Sequence, residues 1–132
     1  DLEQGLAGFG DETFDYVVLS LTLQAVHQTE TIINEMLRVG RQVIVTFPNF
    51  GFWRHRLQIF FGQTPVSKEL PYQWYDTPNV HVLTINDFEK FCAHHNVRII
   101  DRVVINETSR SINILPNLLG TLAIYRFDKE QR

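Results

Sequence analysis

The order strand, helix, strand over residues 14 to 48 constrains this chain more than any other feature. Phe14–Leu19 (Phe-Asp-Tyr-Val-Val-Leu) reads as a buried strand, and Val43–Phe47 (Val-Ile-Val-Thr-Phe) as a second, covered on both faces. Between them a helix is expected from about Glu30 to Val39. Ile32, Ile33, Met36 and Leu37 share one of its faces, Arg38 lies in its last turn, and Gly40 stands where a C′ glycine belongs. Elements joined in this order by short links form a βαβ unit, with parallel strands and a right-handed crossover. Pro48 has no amide hydrogen, so sheet pairing should end there, and Asn49 and Gly51 then offer turn chemistry. Ligands in open α/β sheets bind beyond the carboxyl ends of the strands. Pro48–Trp53 is therefore expected to begin one wall of a site.

The flanking segments read differently. Asp1–Thr13 is glycine-rich and acidic, a loop or a short helix followed by a turn, and Ser20–Gln28 is a loop of mixed polarity. Residues 50–80 depart from the strand–helix alternation and are dense in aromatics: Phe50, Phe52, Trp53, Phe60, Phe61, Tyr72, Trp74 and Tyr75. Trp53, Leu57, Phe60 and Phe61 follow i, i+4, i+7, i+8 spacing, which predicts a short amphipathic helix with Arg54 and Arg56 off its stripe. Gly62 ends that helix, and Pro65, Pro71 and Pro78 stiffen the chain beyond it. The segment reads as an insertion with its own apolar surface, either a lid over a site or a docking face.

Leu83-Thr84-Ile85-Asn86-Asp87-Phe88 is a helix start with a mechanism. Thr84 caps, Asp87 returns the hydrogen bond, and Leu83 staples to Phe88. Phe88, Phe91, Cys92 and His95 repeat at helical spacing and Asn96 can serve as the C′ residue, so the helix spans about Ile85–His95. Val97–Ile105 and Gly120–Phe127 are β-rich, with a polar connection 106–117 anchored only by Ile112, Ile114 and Leu115. Two strands without an intervening helix predict an antiparallel pair closing the sheet edge.

Composition narrows the function. A chain of 132 residues with 44 % hydrophobic and 20 % charged residues has the content of one soluble globular domain. A net charge of −3 gives no electrostatic reason for nucleic-acid binding. Cys92 is the single cysteine, which excludes an internal disulfide and fits a reducing cytoplasm. No apolar run approaches the roughly 20 residues that span a bilayer. The opening Asp1-Leu2-Glu3, without methionine, points to a processed product or a piece of something longer. Ser20 follows a strand but lacks the glycines of a nucleophile elbow, and Cys92 reads as a core residue. His27, His55, His81, His94 and His95 show no metal-binding spacing. His81 is a candidate base against the alternative of a solvated surface histidine. Arg54 and Arg56 are candidates for holding an acidic substrate or partner against the alternative of solvated charges.

Several strings taken together resemble the carboxyl-terminal two-thirds of the methionine-biosynthesis MetW family. They are Asp1-Leu2 with Gly5-Leu6, Phe14–Ser20, Thr22–Val26, Glu35–Gly40, Phe47–Gly51 with Trp53, Leu70–Asn79, and the Thr84-Ile85 plus Asp87-Phe88 helix start. The resemblance implies a Rossmann-like α/β class I S-adenosylmethionine (SAM)-dependent methyltransferase fold, truncated to strands 4–7. Residues 1–132 would then be a partial domain whose amino-terminal SAM-motif half is absent, with 50–80 as the aromatic insertion. It also implies that Asp1 and Leu2 meet adenine and that Ser20, Leu21 and Thr22 lie beside the methionine end of SAM. Asn49, Phe50, Trp53, Arg54, Tyr72, Trp74, Tyr75 and His81 are the candidate substrate- or partner-facing residues. SAM belongs to the intact family fold and is expected to bind poorly to this segment. The implied role is in methionine biosynthesis, acting with or activating a homoserine O-acyltransferase that forms O-acetyl- or O-succinylhomoserine; a SAM-dependent methyltransferase on a small molecule is the alternative. In the family's sheet order strand 14–19 would lack its neighbour, so self-association through that edge is expected.

Overall fold

The structure, a computed structural model, describes residues 6, 8–21, 23, 28–79 and 81–129. Its elements are β1 (Phe14–Ser20), α1 (Thr29–Val39), β2 (Gly40–Pro48), α2 (Trp53–Phe60), α3 (Ile85–His94), β3 (Val97–Asn106), β4 (Ser111–Ile112), α4 (Pro116–Leu119) and β5 (Gly120–Lys129). One sheet holds all five strands in the order β1-β2-β5-β3-β4. The expected βαβ unit is present, with β1 parallel to β2 and Val18 opposite Ile44. β2 ends at Pro48, paired to Leu122, where the missing amide hydrogen stops the ladder.

The chain joins α1 to β2 differently from the sequence expectation. Gly40 has extended backbone (φ −116°, ψ 143°) and opens β2 directly. Its glycine identity answers space rather than dihedral freedom, because a Cβ would sit 2.5 Å from Val17 Cγ2 and 3.2 Å from the Met36 carbonyl oxygen. At the end of α3 the expectation holds, and Asn96 adopts a left-handed φ of 56° after the C-cap His95.

β3 and β5 are antiparallel, as expected, but they do not close the edge as a pair. β5 lies between β2 and β3 and is antiparallel to both. Its alternation explains the placement. Ala123, Tyr125 and Phe127 sit opposite Phe47, Val45 and Val43, all at 0 % exposure, so this strand is built for a central position. The connection 106–117 carries β4 and leads into α4, and of its three expected anchors only Ile112 packs on the core, Ile114 and Leu115 being exposed.

α1 and α3 cover one face of the sheet. Ile32, Ile33, Met36 and Leu37 from α1 and Phe88 and Cys92 from α3 share one cluster with Val43, Val45, Phe47, Tyr125 and Phe127. The other face is less covered than expected: Tyr16, Val18 and Val103 are exposed and Ile44, Thr46 and Ile124 half-buried. No helix of the described residues is long and apolar enough to cross a membrane.

Candidate functional site

The carboxyl ends of the parallel strands carry a small polar rim. Leu21, just past β1, has a left-handed φ of 55°, and its amide donates to the carbonyl (3.1 Å) and the hydroxyl (2.9 Å) of Thr46. The exit of β1 is thus folded back on β2. Thr46 Oγ1 lies 3.4 Å from Ser20 Oγ, and the Ser20 side chain stays exposed. Of the candidate cofactor residues, Ser20 and Leu21 sit at this rim, while Asp1, Leu2 and Thr22 fall outside the described residues.

The Asn49 side chain is turned into the protein. It is fully buried, and its side-chain amide donates to the carbonyls of Asn117 (3.0 Å) and Gly120 (2.9 Å). Its Oδ1 accepts from the amides of Gly51 (3.1 Å) and Ile85 (3.2 Å), which exhausts its ordinary hydrogen-bonding capacity. One side chain therefore ties the end of β2, the approach to α2, the first residue of α3 and the segment before β5. The neighbouring Gly51 is held so close that a Cβ would meet the Asn117 carbonyl oxygen at 2.9 Å.

The insertion is fixed by polar bonds and displays its apolar stripe. In α2 the buried residue is His55 (1 % exposed), whereas Leu57, Phe60 and Phe61 are 46 %, 80 % and 73 % exposed. The amphipathic helix expected from sequence is therefore present with its stripe turned outward. A carbonyl only accepts, so His55 Nδ1 donates to the Phe50 carbonyl at 3.1 Å, and Nε2 accepts from the Ser67 hydroxyl at 2.9 Å. This describes a neutral imidazole, and burial pushes its pKa below the ordinary histidine value. Gln58 grips the returning chain at both ends of one residue, donating to the Val66 carbonyl (2.9 Å) and accepting from the Val66 amide (2.7 Å).

The Ser67–His55 contact resembles a nucleophile–base pair but lacks its supporting chemistry. A carbonyl, not a carboxylate, stands behind the imidazole, and Ser67 Oγ also accepts the Leu70 amide to close a turn. Cys92, the core residue expected, is buried, and burial pushes its thiol up to about 12, away from thiolate chemistry. Among the described residues no group of His, Cys, Asp and Glu is placed to hold a metal ion.

The remaining candidates fall into two sets. Phe50, Tyr72 and Trp74 come together around a shallow groove of about 80 Å³, and Tyr75 stacks edge-on to Trp74 at 5.6 Å. His81 is exposed and lines a smaller depression with Phe50 and Leu70. Trp53 and Arg54 lie elsewhere on α2. The Arg54 guanidinium sits 5.4 Å from the Trp53 ring centre and pairs with Glu107 at 3.5 Å, while Arg56 donates to the Gly51 carbonyl at 2.7 Å. Sequence reasoning missed the clamp made by Gln58, His55 and Ser67, because three polar residues at spacings of three and nine carry no pattern until the chain turns back.

Comparison with known proteins gives this geometry a context. A family model described as "Methionine biosynthesis protein MetW" matches residues 1–127. The bifunctional methionine biosynthesis protein MetXA/MetW of Rhodopirellula baltica is 38 % identical over 138 aligned residues, which span 100 % of this chain and 22 % of that protein. Among solved structures, a SAM-dependent methyltransferase of Thermotoga maritima, described as a possible histamine N-methyltransferase, aligns with a TM-score of 0.63 at 12 % identity, over 97 % of this chain and 60 % of that one. A SAM-dependent methyltransferase of Methanosarcina mazei aligns at 0.61 and 17 % identity, over 98 % and 64 %. The chain thus spans about a fifth of its curated relative's length. The Rossmann-like methyltransferase fold expected from the sequence is the fold observed.

Proposed function

The chain belongs to the MetW family of methionine biosynthesis proteins, and from that premise we propose that it is an accessory subunit of a homoserine O-acyltransferase. The observation that carries this reading is the Rhodopirellula baltica relative, whose name joins MetXA and MetW in one polypeptide. A protein that works beside an acyltransferase needs a docking surface rather than a nucleophile of its own. The exposed aromatics of segment 50–80 supply such a surface, and neither Cys92 nor Ser67 supplies the nucleophile. Both proteins would act in the cytoplasm. The test is co-purification of the full-length protein with the acyltransferase from the same source, followed by rate measurements. A stable complex with a raised acylation rate is expected; no complex and no change in rate would overturn the reading.

A second reading, a SAM-dependent methyltransferase acting on a small molecule, is favoured by the names of the structural neighbours. Bound SAM would supply the methyl group. The exposed Ser20 hydroxyl fits a polar ligand at the strand ends, but the Leu21 amide is already spent on Thr46. Calorimetric titration of the full-length protein with SAM decides it, and absence of binding at millimolar ligand removes the reading. The edge strand β1 carries the exposed Phe14, Tyr16 and Val18, which supports self-association of the 132-residue chain. A monodisperse monomer in sedimentation would contradict that proposal.

A further inference from the structure

Two arginines border the outward stripe of α2, one on each side. Residues three and four apart on a helix are neighbours, so Trp53, Leu57 and Phe60 form one line, with Phe61 beside Leu57. Arg56 stands next to Phe60 on one flank, and Arg54 stands next to Leu57 on the other. Both arginines are exposed, and α2 holds no acidic residue, in a chain whose net charge is −3. The helix is thus a basic, apolar face on an acidic protein. Both guanidinium groups are positioned without being neutralised. Arg56 is anchored through Nε on the Gly51 carbonyl at 2.7 Å, and among the described residues its two terminal nitrogens have no other partner. Arg54 lies 5.4 Å from the centre of the Trp53 ring and meets Glu107, from the turn between β3 and β4, at 3.5 Å. An exposed pair of that length is worth little, so Glu107 marks a place where a carboxylate sits and can be replaced by a better-placed one.

Charge decides what covers the stripe. A second copy docked by the same face would set Arg54 and Arg56 against their own symmetry mates, with no acid on α2 to answer them. An anionic lipid surface would be held by two arginines and about two turns of helix, against the chain's net charge of −3. An apolar protein surface with acids along its borders answers every group on this face. We propose that the α2 stripe docks on an apolar strip of the acyltransferase bordered on both sides by Asp or Glu, the two borders lying about 10 Å apart, the width of a helix. The inference rests on the accessory role proposed above and specifies the chemistry of the partner. The rings supply the buried area, and the arginines fix the register and speed the encounter.

The experiment is calorimetric titration of the full-length protein with the acyltransferase from the same source, at about 0.05 M and about 0.5 M NaCl. Affinity should fall at least about tenfold at the higher salt. Arg54→Gln with Arg56→Gln should lose at least about tenfold at the lower salt and flatten the salt dependence, with an unchanged circular dichroism spectrum and Tm. Arg54→Gln alone, which leaves the Gly51 anchor in place, should lose at least about threefold, and Arg54→Lys with Arg56→Lys should keep the salt dependence. Glu107→Gln removes the internal competitor for Arg54 and should tighten the complex about two- to fivefold. Equal affinity at both salt concentrations, or a doubly neutral variant that binds as tightly as the unsubstituted protein or more tightly, overturns the inference and leaves the accessory role standing. Absence of a complex removes both. Binding to vesicles of phosphatidylcholine and phosphatidylserine that the doubly neutral variant loses would assign the stripe to a lipid surface and overturn the inference as well.

Discussion

The sheet with its covering helices and the 50–80 insertion are both rich in aromatics, and they use them in opposite ways. In the sheet, Phe47, Tyr125 and Phe127 are at 0 % exposure, and Phe88 packs 4.6 Å from Tyr125 and 5.3 Å from Phe47, ring centre to ring centre. In the insertion, Phe60 and Phe61 meet edge-to-face at 5.3 Å, and Trp74 and Tyr75 at 5.6 Å, yet all four are at least 70 % exposed. The sheet is held by apolar burial. The insertion is held by side-chain bonds to backbone, from Gln58 to Val66, from His55 to Phe50 and from Arg56 to Gly51. An exposed apolar surface carried on a polar scaffold is ordered without being covered, which is what a preformed docking face requires.

The contrast can be broken by mutation. Phe47→Ala should be the most damaging change, costing about 3–5 kcal/mol in urea unfolding, because it removes a fully buried ring packed on both Phe88 and Tyr125. Asn49→Ala joins both regions and should cost about 3 kcal/mol, since it strands two buried amides and two carbonyls at once. If Asn49→Ala instead costs less than about 1 kcal/mol, the insertion is not tied to the sheet as described.

Acid should act on the insertion first. His55 is held neutral, with its folded pKa below its ordinary value of 6.5, so the unfolded segment binds the proton more readily. Its stabilising contribution is complete above about pH 6.5 and falls as pH drops from there toward the folded pKa. Amide protection factors of residues 64–70 should therefore fall below that pH while β2 and β5 stay protected, and His55→Gln should abolish the pH dependence of that protection. A uniform fall in protection across the sheet and segment 50–80 would show that the two are one cooperative unit. Phe60→Ser with Phe61→Ser should have the smallest effect on stability, within about 0.5 kcal/mol, because neither ring is buried.

Periodicity explains which of these features could be read from residues alone. The βαβ unit, the capping box at Thr84 and Asp87, and the left-handed Asn96 all obey local rules, and all are present at the expected positions. The place of β5 was not local: its pairing with β2 joins residues about eighty apart, such as Val43 and Phe127. The direction of the α2 stripe was also hidden, because spacing defines an apolar face without saying whether anything covers it. Asn49 shows the same limit at the site. A turn residue after a strand fits either a ligand wall or a structural tie, and only the carbonyls of Asn117 and Gly120, brought in from the far end of the chain, decide for the tie.

The central claim is that the insertion's exposed rings dock the acyltransferase. The direct measurement is the affinity of the full-length protein for that enzyme, by calorimetry, with and without Phe60→Ser and Phe61→Ser. Loss of at least about thirtyfold in affinity, about 2 kcal/mol, with unchanged thermal stability is the predicted result. An unchanged dissociation constant in the doubly substituted protein would contradict the claim.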